Sequence, residues 1–186
     1  MRKSFLLIGC VLSCVVVPEI RLGAAEAPQT YLTDNFADQK LQWGKSNDPA
    51  LLAVAIADGP AQGEKALKLH FKIDRKGLGW PQSQRYLMKQ AFIPDGAILA
   101  EFDMKVERLK GDIKLSLIGV PNKAFKSSRI GFIDDGKWQK VQVRITPTMP
   151  GTKLERLAFV VDQRQPEVGD ENIFYIANLK LTGLRE

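Results

Sequence analysis

The chain has 186 residues, a formal net charge of +6, one histidine and two cysteines. A single histidine, His70, nearly excludes histidine-based catalytic triads and histidine-rich zinc sites. The basic residues are scattered, without the density and the aromatic interleaving that nucleic-acid surfaces show. We therefore expect no nucleic-acid partner.

The N-terminus predicts export. Two basic residues precede an uncharged run from Ser4 to Val17, which is shorter than the roughly 20 residues needed to span a bilayer. Small residues follow up to Ala25, so residues 1–25 are predicted to be a signal peptide that is cleaved after Ala25. Two alternatives remain open, a retained membrane anchor and a lipoprotein, because the residues before Cys10 and Cys14 resemble a lipobox. All three predict a periplasmic or extracellular protein.

The chain after residue 25 contains no cysteine and carries 24 basic and 20 acidic side chains, a net charge of +4. It therefore has no disulfide framework and no cysteine nucleophile, and no transmembrane segment remains after processing. Residues 26–30 are predicted to be a disordered lead-in. Residues 31–186 are long enough for one domain with a single hydrophobic core, which we expect to be a monomer.

Short runs of β-branched and aromatic residues, bounded by Gly, Pro, Asn or Asp, follow one another along the whole chain. They predict about ten antiparallel strands and no amphipathic helix, so the economical fold is one all-β sandwich. The predicted strands are, in chain order, residues 31–38, 51–59, 66–73, 85–93, 97–107, 113–120, 129–133, 139–146, 154–163 and 172–181.

Two of these strands predict how they are buried. In 139–146 the apolar Val141, Val143 and Ile145 alternate with polar residues, as in a strand with one dry face and one wet face. In 172–181 both parities are apolar at first, which is typical of a strand that is buried on both sides.

Three segments carry a family resemblance: GEKALKLHF (63–71), DGKWQKVQVRITP (135–147) and IFYIANLKL (173–181). In order and spacing the chain resembles the jelly-roll carbohydrate-binding modules of the galactose-binding-like superfamily. The resemblance implies a jelly-roll sandwich that binds a polysaccharide or a cell-envelope glycan without catalysis. Many of these modules hold a structural calcium near an Asp of the last strand, where this chain has Ala177. Asp34 and Glu64 are the oxygen donors that remain, and no cofactor is expected.

Sugar binding needs a flat aromatic face and nearby polar groups for hydroxyls. The segment GLGWPQSQRY (77–86) provides both, since Trp80 lies between Gly and Pro, and Trp43 is a similar, weaker candidate. The predicted carbohydrate-binding residues are Trp80, Tyr86, Arg85, Gln84 and Trp43. Trp138 occupies a position that is structural in the family.

Two other functions remain as alternatives. The first is a small secreted glycoside hydrolase that uses Glu101 and Asp103, because EFDMKVE resembles the catalytic strand of family 16 jelly-roll glycoside hydrolases. Lys105 occupies the place of that pattern's third acid, and Glu101 and Glu107 would lie about 20 Å apart along a strand, whereas a retaining pair needs about 5 Å. The second alternative is a structural or adhesive envelope module.

Overall fold

A computed structural model describes residues 27–37, 42–46, 52–72, 82–110, 112–126, 128–164 and 167–184. The predicted signal peptide and Trp80 lie outside these ranges. Within them, no helix is long and apolar enough to cross a membrane. The described strands are β1 (Thr30–Asp34), β2 (Trp43–Ser46), β3 (Leu52–Asp58), β4 (Lys65–Lys72), β5 (Gln82–Tyr86), β6 (Ile98–Arg108), β7 (Asp112–Val120), β8 (Phe125–Lys126), β9 (Ser128–Arg129), β10 (Gln139–Pro147), β11 (Arg156–Arg164) and β12 (Glu171–Gly183), with a 3₁₀-helix at Met88–Gln90.

The strands form two antiparallel sheets. The first sheet has the order β3-β4-β12-β6-β10-β8, and β1 also pairs with β12. The second sheet has the order β2-β5-β11-β7-β9. Apolar side chains from the two inner faces form one core. This arrangement confirms the predicted all-β antiparallel sandwich.

The burial predicted from the sequence is correct in both β10 and β12. Val141, Val143 and Ile145 are all buried, as the dry face of β10 requires. In β12, Phe174 belongs to the main core, whereas Tyr175 belongs to a small second cluster on the outer face of the first sheet. The strand is therefore buried on both sides, as predicted.

Several predicted strand bounds differ from the structure, and the sequence did not predict β2 or β8. The strand expected at residues 85–93 is β5, which ends at Tyr86, because Met88 has a φ of 50° and turns the chain into the 3₁₀-helix. Most of 129–133 is not a strand, since the side-chain amide of Gln139 bonds both the N–H and the carbonyl of Ile133. β1 begins at Thr30, one residue inside the predicted lead-in.

A buried polar contact joins the two sheets near one end. Asp34 of β1 accepts a hydrogen bond from Trp43 Nε1 at 3.0 Å and forms an ion pair with Arg85 of β5. The side chains of Arg85 and Asp34 are only 5% and 14% exposed. Arg85 also donates to Gln90 Oε1 at 3.3 Å. A charge this deep in a protein is tolerated only with such partners.

We expect Asp34→Ala to destabilise the protein by about 3–5 kcal/mol, because it leaves the Arg85 guanidinium buried without its carboxylate. The measurement is the free energy of unfolding from urea titration. Asp58→Ala is the matched control, since Asp58 pairs with Lys65 at 2.9 Å but its side chain is 93% exposed. Its unfolding midpoint should barely move, and equal effects of the two variants would contradict the interpretation.

Candidate functional site

The structure separates the predicted site residues onto two sides of one sheet. Successive side chains of a strand point to opposite faces, and in β5 Gln84 and Tyr86 point outward whereas Arg85 points into the core. Trp43, opposite Arg85 in register, is 1% exposed and packs on Phe159. Trp43 and Arg85 therefore cannot contact a ligand on the outer face, and we exclude them from the candidate surface. The predicted role of Trp80 in carbohydrate binding stays a prediction.

Arg156 of β11 lies beside Tyr86 on the outer face of the second sheet. Its guanidinium carbon is 5.0 Å from the centroid of the Tyr86 ring, and Tyr86 as a residue is 58% exposed. Arg156 Nη1 donates to the Tyr86 hydroxyl and to Gln84 Oε1, both at 3.2 Å. Gln84 Nε2 in turn donates to Gln82 Oε1 at 2.7 Å. These bonds fix a row of polar groups beside an open aromatic ring.

We call the surface around this row the Tyr86 face. It consists of three neighbouring columns of outward-pointing side chains from β5, β11 and β7: Gln82, Gln84 and Tyr86; Arg156, Ala158 and Val160; Ser116, Ile118 and Val120. The polar groups of Gln82 and Arg156 thus lie among half-buried aliphatic groups, whereas Gln84 and Ala158 are buried, at 7% and 0% exposure. This is the mixture that a site for a polyhydroxylated ligand needs.

A depression of about 220 Å³ extends the Tyr86 face beyond the end of β5. It is lined by Tyr86, Met88, Ala91, Lys153 and Glu155. The Met88 side chain is 76% exposed, because the positive φ of this residue turns it away from the core. The aromatic ring of Tyr86 therefore stands between a polar row and a partly apolar hollow.

Sequence reasoning missed Arg156. A signal for it was present, because in LERLAFVVDQ the buried Leu157, Phe159 and Val161 alternate with Arg156, Ala158 and Val160. The alternation could have placed Arg156 on the outer face. Its position beside Tyr86 depends on the pairing of β11 with β5, which cannot be predicted from the local sequence.

On the outer face of the first sheet, the area around Tyr175 is covered by neighbouring side chains. The Trp138 ring packs edge-on against Tyr175 at 6.3 Å, and Lys105 Nζ lies 4.4 Å from the Tyr175 centroid. The Tyr175 hydroxyl donates to Glu107. Trp138 thus caps a small outer cluster and not the edge of the main core.

Glu101 and Asp103, the residues of the enzyme alternative, also lie on this outer face. The Asp103 side chain is 8% exposed, pairs with Lys140 at 2.7 Å and accepts a hydrogen bond from Asn178 at 2.9 Å. Glu101 accepts one from Gln142 at 2.7 Å and borders an open depression of about 550 Å³. Each carboxylate is thus engaged by side chains of its own sheet, Glu101 by Gln142 and Asp103 by Lys140 and Asn178.

The oxygen donors left for calcium do not converge. Asp34 faces the interior and is engaged by Arg85 and Trp43. Glu64 accepts a hydrogen bond from the Asn178 amide at 3.2 Å. Among the described residues, no three Asp, Glu, His or Cys side chains are grouped to hold a metal ion. These donors therefore do not fit the six to eight oxygen ligands that calcium takes.

Comparison with known proteins identifies the fold. No protein-family model and no curated protein matches the sequence. Among solved structures, the CBM22-1 xylan-binding domain of Paenibacillus barcinonensis Xyn10C matches with a TM-score of 0.55 and 13% identity, over 88% of this chain and 99% of that domain. This chain is a jelly-roll β-sandwich. The prediction from the sequence is confirmed at the level of the fold.

Two multidomain proteins contain the same fold. The CBM22-1–GH10 modules of Clostridium thermocellum xylanase 10B, complexed with xylohexaose, match with a TM-score of 0.56 and 12% identity over 84% of this chain. An arabinose-bound GH51 α-L-arabinofuranosidase matches with a TM-score of 0.52 and 12% identity over 76% of this chain. This chain spans only 29% and 23% of those two chains, so the likeness concerns one domain of each.

Burial raises the pKa of Tyr175 above its usual value of about 10, and the hydrogen bond to Glu107 is the second largest cause of this rise. We expect the difference in ultraviolet titration between the wild type and Tyr175→Phe to show one tyrosine with a midpoint above pH 10. Because the folded-state pKa is raised, the stabilisation is present below about pH 10 and is lost as pH rises through the folded-state value. A midpoint at or below 10 would contradict the outer cluster described above.

Proposed function

We propose that this protein is an exported, non-catalytic module that binds a polysaccharide or cell-envelope glycan through the Tyr86 face. The observation that carries the proposal is the open Tyr86 ring, fixed beside Arg156 and the Gln84 and Gln82 amides. The ring offers an apolar surface to a sugar, and the polar row offers donors and acceptors to its hydroxyls. The xylan-binding function of one domain with the same fold supports this reading.

The residues of the Tyr86 face support binding without catalysis. Hydrolysis of a glycosidic bond uses two carboxyl groups that flank it, and no acidic residue is among the nine that form the Tyr86 face. Glu101 and Asp103, the acids of the enzyme alternative, lie on the other sheet and are held by Gln142, Lys140 and Asn178. Binding by the Tyr86 face is thus independent of these two carboxylates. We also expect the protein to act as a monomer.

Affinity electrophoresis through a panel of soluble polysaccharides, xylan included, tests the proposal. We expect at least one glycan to retard the wild type, and Tyr86→Ala to lower that affinity by more than about 1 kcal/mol, since exposed aromatic anchors dominate such contacts. Ile133→Ala is the control, because Ile133 is 67% exposed and lies outside the Tyr86 face. A folded wild type that no glycan retards would favour the structural or adhesive module.

Trp80 remains a predicted contact. It precedes Gln82, the first residue of β5, by two positions in the sequence. We expect Trp80→Ala to weaken binding of the glycan found above about fivefold or more. Trp43→Phe serves as the comparison, because the buried Trp43 should affect stability and leave the affinity of the folded protein unchanged. The opposite pattern would place the ligand elsewhere.

A further inference from the structure

Two arginines on the outer face of the second sheet have no acidic partner among the described residues. Arg156 belongs to the Tyr86 face, and Arg129 of β9 lies next to it, opposite Ser116 in register. Neither forms an ion pair with a described side chain. Lys114 is on the same side, with the acidic Asp162 opposite to it in register.

The outer face of the first sheet is different, because its acids lie among its bases. Asp103 pairs with Lys140, and Glu171 pairs with Arg108 and His70. Opposite charges there neutralise one another within the protein. On the second sheet the positive charge of the arginines is left for a partner, and such a separation of charge favours an anionic ligand.

The geometry of Arg156 selects the kind of anion. Its hydrogen bonds to Gln84 and Tyr86 both use Nη1, and no described group accepts from Nη2. The stacking on Tyr86 holds the planar group in place. A guanidinium fixed in this way matches the two oxygens of a carboxylate, with hydrogen bonds stronger than those between neutral groups.

We infer that the glycan bound by the Tyr86 face is acidic and carries uronic acid carboxylates, one of which Arg156 binds. This inference rests on the proposed function. Arg129 supplies a second positive charge, two strands and four residues away from Arg156. With the ordinary spacing between strands and along a strand, the two residues are about 16 Å apart. One sugar residue cannot reach both arginines, so the ligand is an oligosaccharide or a polysaccharide.

Isothermal titration calorimetry tests the inference with glucuronoxylan and with the same preparation after chemical reduction of its carboxyl groups. We expect the wild type to prefer the acidic form about tenfold, the effect of one charge-assisted hydrogen bond. Arg156→Gln should bring this ratio close to one, and Arg129→Gln should lower it partly. Arg144→Gln, on the outer face of the first sheet, removes the same charge and should leave the ratio unchanged. If Arg156→Gln does not fold, Arg129→Gln carries the comparison.

Each other outcome overturns the inference in a recognisable way. Equal affinity for both forms would refute the acidic ligand and leave the proposed function standing. A preference that survives both Arg156→Gln and Arg129→Gln would place the carboxylate elsewhere. Equally tight binding of dextran sulfate would reduce the preference to non-specific attraction by charge. Binding of neither form, nor of any glycan in the panel, would refute the proposed function itself.

Discussion

The buried contact between Arg85 and Asp34 decides which side chains of β5 reach solvent. Since neighbouring side chains alternate between the two faces of a strand, an inward Arg85 forces Gln84 and Tyr86 outward. A shift of the strand by one residue would place Tyr86 in the core and withdraw Arg85 from its carboxylate. The cost of an unpaired buried charge opposes that shift. The same contact also ties β1 of one sheet to β5 of the other, so the outer surface depends on the joint between the sheets.

The core was readable from the sequence where apolar and polar residues alternate. β10 shows this, because Val143 lies where periodicity places it, whereas β12 was recognised by consecutive apolar residues such as Phe174 and Tyr175, all buried. The segment QSQRY of β5 has no such alternation, since Ser83 and Arg85 are as polar as the outward residues. Its parity is set by Asp34, 51 residues away in the chain. This is why Arg85 and Trp43 were predicted to bind ligand although they are buried.

Each of the two outer faces has a tyrosine beside a basic side chain, but only one of these tyrosines is exposed. On the first sheet, Tyr175 is covered by Lys105 and packed against Trp138, so an aromatic pair that resembles a binding platform is occupied by its own neighbours. On the second sheet, Tyr86 has the Arg156 guanidinium beside its ring and stays 58% exposed. Composition cannot separate these cases, because both contain an aromatic ring beside a cation. The difference lies in which side chains the pairing of strands brings opposite each other.

A jelly roll at 12–13% identity to its structural neighbours shows how little of a sequence the fold requires. The fold constrains the inward residues, whose volumes must fill one core. Outward residues such as Arg156 and Arg129 carry no such constraint, so they are free to differ from one jelly roll to the next. The chemistry of the ligand must therefore be argued from this chain's own outer face. There, Tyr86 already holds Arg156 in one orientation, so a carboxylate that binds it loses less conformational entropy than with a freely rotating arginine.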